Sequence, residues 1–172
     1  METDLFVHFA EIAGVFVGFG ALISLRSARP KDPHDFVYIQ AVLGLGVWVV
    51  IAALVPIVVS QYGVHDEALW RPCALVPLAV WAIFVIALSR TAASRKIDRS
   101  PERVDRLFPV LGLPLHFVLA GSLLLIVIGL WPGIDEALYI TSLAAGVIFA
   151  GYTLLMSGMS QAHPLERDQD GP

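Results

Sequence analysis

Charge is scarce in this sequence. Only 15% of its 172 residues are Asp, Glu, Lys or Arg while 57% are hydrophobic, whereas an average soluble domain carries about 25% charged residues. A soluble domain of this length could not hide so much apolar surface. Cysteine is nearly missing as well: Cys73 stands alone, which excludes an internal disulfide and a cysteine-based structural zinc site. A single thiol inside an apolar run is expected simply to pack. There is no basic excess either, and a formal charge of -4 offers no field for binding nucleic acid. A nucleophile elbow, a phosphate loop and a zincin helix are all missing, so neither an enzyme nor a cofactor is expected. No internal repeat or low-complexity segment interrupts the chain.

A secretory signal is not expected at the N-terminus. Glu2 and Asp4 precede the first apolar run with no Lys or Arg among them, and the positive residues Arg26, Arg29 and Lys31 follow it. A signal peptide has the opposite arrangement. The run therefore reads as a mature span inserted with its N-terminus outward.

Long apolar runs are abundant. Crossing the hydrocarbon core takes about 20 predominantly apolar residues in a helix, and residues 5–25, 36–59, 68–89, 107–130 and 137–156 each meet that requirement. The expected fold is all-α, a single polytopic membrane domain of five transmembrane helices. Its orientation follows from the eleven Lys and Arg residues: three lie in loop 26–35, six between Arg90 and Arg106, and Arg167 in the tail 157–172. All of these segments fall on one side. Arg71 is the exception, and Asp66, Glu67, Asp135 and Glu136 sit in the opposite loops. The positive-inside rule then puts the N-terminus outside and the C-terminus in the cytoplasm.

Capping residues support these limits. Asp32-Pro33 and Ser100-Pro101-Glu102 each place a capping side chain before a proline suited to the first helical position. The second lies well ahead of its apolar run, which predicts a helical extension carrying Arg103 and Arg106. Asp135 is expected to cap the fifth span. Tyr62, Trp70, Trp131 and Tyr139 fall near the outer boundary, where amphipathic rings are favoured.

Glu11 is the most informative side chain, because it lies about two helical turns inside the first span, where an unpaired carboxylate costs a few kcal/mol. At 100° per residue Val15, Gly18, Leu22, Arg26 and Arg29 share its face, with His8 near the edge. This stripe reads acid, apolar constriction, base. If several copies of the helix surround an axis, Glu11 forms a carboxylate ring that replaces part of a cation's hydration shell, Val15 and Leu22 form a hydrophobic gate, and Arg26 and Arg29 line the inner mouth. The order resembles that of store-operated calcium channels of the Orai type, with the chain direction reversed and no motif shared. The alternative is a local partner for Glu11, either Arg71 at the outer end of the third span or His8 one turn away. Ala10, Gly14 and Gly18 add a small-residue pattern that lets helices approach closely.

A second candidate site lies in the fourth span, where Pro109, Gly112 and Pro114 precede His116. Prolines free backbone carbonyls, and freed carbonyls beside an ionisable group can hold an ion or substrate. A kinked helix with a neutral, bonded His116 explains the same residues, and Pro56 and Pro77 are expected to kink their helices. A shared metal centre is not expected, since His8 and Glu11 lie toward the outside and His116 closer to the inside. The mixed-sign loop at 90–106 could meet anionic lipid headgroups, although the usual role of such a loop is topological.

The run Ala10-Glu11-Ile12-Ala13-Gly14-Val15-Phe16-Val17-Gly18-Phe19-Gly20-Ala21-Leu22, together with Ala68-Leu69-Trp70-Arg71, resembles a group of small, uncharacterised bacterial multi-span membrane proteins that often begin with a similar acidic, glycine-containing helix. The resemblance is strongest in the first span. It implies a five-helix protein of the bacterial inner membrane and carries no activity. The leading functional expectation is a homo-oligomeric membrane protein that conducts cations along its first helix. A non-conducting accessory or scaffold protein is the alternative, and a proton-linked transporter using Glu11 and His116 is the third.

Overall fold

The computed structural model describes residues 3–26, 33–64, 67–94 and 103–162, with side chains over 3–23, 39–64, 68–91 and 110–156. The described residues hold no strand. They form α1 (Thr3–Arg26), α2 (Pro33–Gln61), α3 (Glu67–Ser94), α4 (Arg103–Ile128) and α5 (Asp135–Ala162). Each contains an apolar segment of 19 to 24 residues, long enough to cross a membrane at 1.5 Å per residue.

Helix α2 starts on Pro33, where a missing N–H costs nothing because the first turn has no internal acceptor for it. Helix α4 starts at Arg103, ahead of its apolar run, so Arg103 and Arg106 stand on helical backbone. The expected cap at Ser100 lies outside the described residues. Helix α5 begins one residue off the expected register. The carbonyl of Ile134 accepts the first helical hydrogen bond, from Leu138 N–H at 2.9 Å, so Ile134 is the cap and Asp135 the first helical residue.

Two tight turns reverse the chain. After α2, Gly63 takes a φ of +80° and its N–H bonds to Ser60 O at 3.1 Å. After α4, Gly129 has a φ of +69°, and Leu130 N–H reaches back to Leu125 O at 3.3 Å while Gly129 N–H bonds to Ile126 O at 3.0 Å. That pair of bonds is the Schellman motif, which needs a left-handed residue at the position Gly129 holds. The guanidinium of Arg71 lies where a Cβ on Gly129 would stand, at the negative end of the α4 dipole.

Helices α2 and α5 touch along the centre. Helix α1 rests on both from one side, and α3 and α4 complete the bundle on the other; α1 has no backbone contact with α3 or α4. The core holds Phe6 of α1, Leu45 and Trp48 of α2, Cys73 and Trp81 of α3, Leu119, Leu123 and Ile126 of α4, and Tyr139 and Leu143 of α5. Close approach of α1 and α2 depends on Gly46, because a Cβ there would meet Val17 and stand 3.2 Å from the Ala13 carbonyl oxygen.

The central prolines explain the most connected polar group in the core. Pro56 and Pro77 lack an N–H, which leaves the carbonyls four residues earlier, those of Ala52 and Cys73, without helical donors. The Tyr139 hydroxyl lies between them, donating to Ala52 O at 2.7 Å with Cys73 O at 3.3 Å. One side chain of α5 thus serves the proline defects of both α2 and α3. Trp48 Nε1 adds a 2.7 Å bond across to Pro77 O, and the Trp48 ring meets Trp81 edge-on at 5.8 Å.

Trp70 and Tyr139 correct the expected outer belt. Trp70 is only 6% exposed and Tyr139 is fully buried, and both pack with Phe6 at ring separations of 6.3 and 6.1 Å. Position near a span end does not say which way a ring points, and here both turn inward. Tyr62 and Trp131 are exposed.

Candidate functional site on the outer face of the first helix

Helix α1 buries one side only. Phe6, Ala13 and Gly20 face the bundle, whereas Val7, His8, Glu11, Ile12, Gly14, Val15, Gly18, Phe19 and Leu22 are exposed. The division follows from the helical period: positions 6, 13 and 20 recur every seven residues and share one side, with Glu11, Val15, Gly18 and Leu22 turned away from it. All the described members of the acid-to-base stripe therefore lie together on the free face. The side chain of Arg26 lies outside the described residues.

Glu11 finds its partner within its own helix. His8 Nδ1 and Glu11 Oε2 are hydrogen-bonded at 3.2 Å, one turn apart, with side chains 68% and 66% exposed. The bond is local and leaves most of the carboxylate uncovered. Of the two partners the sequence allowed, this is the nearer one. Arg71 lies instead against Gly129 at the end of α4, so the pairing of Glu11 with Arg71 is not formed.

The glycines of α1 also differ from expectation. A Cβ at Gly14 or Gly18 would meet nothing within 4 Å, so these small residues serve no contact within the chain. The close contact between α1 and α2 is made at Gly46 of α2, facing Ala13 and Val17. Ala10, the third member of the pattern, is half-buried against the core, so spacing alone does not say which of these small residues meet another helix.

The fourth-span candidate has a different geometry from a broken helix. Helix α4 is continuous through Pro109, Gly112 and Pro114. The half-buried ring of His116 packs against Trp81, ring centres 5.1 Å apart. Glu11 is exposed on α1 and bonded to His8, whereas His116 packs on Trp81 in a helix with no backbone contact to α1 among the described residues, so the two are not brought together. Among the described residues no three His, Cys, Asp or Glu side chains converge as metal ligands. Among the described residues two buried polar atoms lack hydrogen-bond partners, Trp81 Nε1 and Asp135 Oδ1.

Sequence reasoning missed the Tyr139 junction, although its signal was present. Pro56 and Pro77 announce free carbonyls at Ala52 and Cys73, and a tyrosine within an apolar helix needs an acceptor. What the sequence lacked was the knowledge that α5 lies between α2 and α3 at that depth. The groove between α2 and α3, lined by Gln40, Leu43, Phe84, Ala87, Leu88 and Thr91, was likewise not anticipated.

No protein-family model matches this chain, and no curated protein or solved structure shows significant similarity to it. The five apolar helices suggest a multi-pass membrane protein.

Proposed function

We propose that this chain is a polytopic membrane protein that assembles with copies of itself through the outer face of α1, and that the assembled α1 helices line a cation pathway with Glu11 at its outer end. Its N-terminus lies outside and its C-terminus in the cytoplasm of a bacterial inner membrane, in accord with the basic residues of loops 26–35 and 90–106.

The observation that carries this reading is the exposed His8–Glu11 pair on the same free face as Gly14 and Gly18. Glu11 is about 12 Å along the axis from Thr3, a depth at which an ionisable side chain turned to lipid costs roughly 2 to 3 kcal/mol or more. Covering it with a second copy removes that cost. Gly14 and Gly18 present no side chain to keep the backbones apart. Around a closed axis Glu11 supplies oxygen ligands, Val15 and Leu22 narrow the path below it, and Arg26 follows.

The same contact could hold a non-conducting scaffold together, and the unobstructed glycines favour tight packing as much as they favour a pore. Two measurements separate these readings. The native mass in a lipid environment reports the assembly, and a stable monomer sinks the pathway and leaves a non-conducting accessory protein. Cation flux into liposomes then distinguishes them: a pathway requires flux that Glu11→Gln alters while the assembly persists, whereas no flux in either form leaves the scaffold.

A further inference from the structure

A groove of about 330 Å³ runs between the first half of α2 and the second half of α3. It is separate from the α1 face. Its walls are apolar, formed by Leu43 from α2 and Phe84, Ala87 and Leu88 from α3. On α3 these residues continue to Thr91 at spacings of three and four, so they form one helical stripe. At depth the Phe84 ring lies directly on Gly44, where it occupies the space a Cβ would need, and this contact closes the inner end. Polar groups appear only at the other end: Gln40 and Thr91 line the mouth, and Arg90, the residue before Thr91 in the chain, is exposed.

That mouth lies at the end of the bundle from which the basic segments emerge. The first-to-second helix connection carries Arg26, Arg29 and Lys31, and six of the eleven Lys and Arg residues lie between Arg90 and Arg106. An apolar slot closed at depth, with an amide and a hydroxyl at its mouth, an exposed arginine next in the chain and connecting segments rich in Lys and Arg at that end, matches a molecule with a long hydrocarbon chain and an anionic head. We propose that this groove seats an acyl chain of an anionic glycerophospholipid, with the headgroup phosphate held at Gln40 and Arg90. A volume of about 330 Å³ stands at the lower end of the roughly 300 to 1,000 Å³ of small-molecule pockets, which suits one chain rather than a whole lipid. The seat rests on the reading that the helices cross a bilayer, and it is independent of assembly through α1.

The test is native mass spectrometry of the detergent-purified protein with dioleoyl phosphatidylglycerol and dioleoyl phosphatidylcholine at equal concentration. The phosphatidylglycerol adduct is expected to predominate, and Arg90→Gln to lower that preference about fivefold, the effect of one basic residue near an anionic surface. Ala87→Trp fills the slot and is expected to abolish the retained lipid, while Ala87→Ser keeps it. Equal retention of the two lipids, or an adduct unchanged by Ala87→Trp, overturns the proposal.

Should Ala87→Trp fail to fold, a phosphatidylglycerol carrying a photoreactive group on its chain, reconstituted with the unaltered protein in phosphatidylcholine vesicles, gives the same decision. Labelling concentrated on the peptides around Leu43 and Phe84 to Leu88 supports the seat, and labelling spread evenly over all five helices overturns it. Disulfide-linked dimers of Ala87→Cys protein would place a second copy in the groove and also overturn it. Extraction of the chain without detergent, scored before any lipid is added, sinks the bilayer reading itself; loss of lipid selectivity in protein that needs detergent sinks the seat alone.

Discussion

The hydroxyl of Tyr139 donates at 2.7 Å to the carbonyl of Ala52, the acceptor that Pro56 deprives of its helical partner. Tyr139→Phe leaves this buried carbonyl and that of Cys73 without a donor, at an expected cost of about 1 to 3 kcal/mol. Replacing Pro56 by Ala restores an N–H four residues after Ala52. The penalty of Tyr139→Phe should therefore shrink in the Pro56→Ala background, as measured by unfolding of all four forms in one detergent. Strict additivity would count against the shared carbonyl.

Cys73 reports on the same junction. Its side chain is fully buried and the chain has no other thiol, so a maleimide should label the folded protein very slowly. Tyr139→Phe should speed labelling under native conditions, because local opening between α2 and α3 exposes the thiol. Fast labelling of the unaltered protein would show that the junction is open in solution.

Gly18 on the free face of α1 and Gly46 of α2, which packs against the opposite face, should behave oppositely. Gly18→Leu puts a side chain into open space and is expected to leave the unfolding midpoint of the single chain unchanged while reducing the native mass toward that of a monomer. Gly46→Leu drives atoms into Val17 and the Ala13 carbonyl, an overpacking expected to cost about 1 to 3 kcal/mol. Unfolding in detergent and mass in lipid measure the two effects separately. Retention of full native mass by Gly18→Leu would remove the outer α1 face from the assembly.

Gly129→Ala tests the end of α4. The left-handed backbone at φ +69° costs a residue with a Cβ about 1 to 2 kcal/mol, and the new methyl also meets the Arg71 guanidinium. Arg71→Ala should relieve only the steric part. The pair of unfolding curves, with and without Arg71, separates backbone strain from collision.

Much of this architecture can be read from the chain because hydrophobicity and length act locally. Four of the five apolar runs lie wholly within one helix, the run 107–130 extends two residues past the end of α4 at Ile128, and prolines suited to a first turn, such as Pro33, mark a helix start. The outward placement of Glu11 with Val15, Gly18 and Leu22 follows in part from the same period, since residues 6, 13 and 20 must share the opposite side. The identity of partners was harder to read. His8 lies within reach of Glu11 by helical geometry alone, whereas Arg71 was a candidate only through its estimated depth, and depth does not say which helices are neighbours. The inward turn of Trp70 and Tyr139 was hidden for the same reason.

What the sequence by itself determined is the number and approximate extent of the helices, because an apolar run of sufficient length needs no knowledge of distant residues. Tertiary structure alone decided that α2 and α5 meet at the centre, that one hydroxyl of α5 serves the proline-freed carbonyls of α2 and α3, and that Gly14 and Gly18 of α1 meet nothing within the chain. Those outcomes depend on which faces of separate helices meet, and in helices apolar on nearly every side the hydrophobic pattern does not distinguish a face that packs against protein from one that does not.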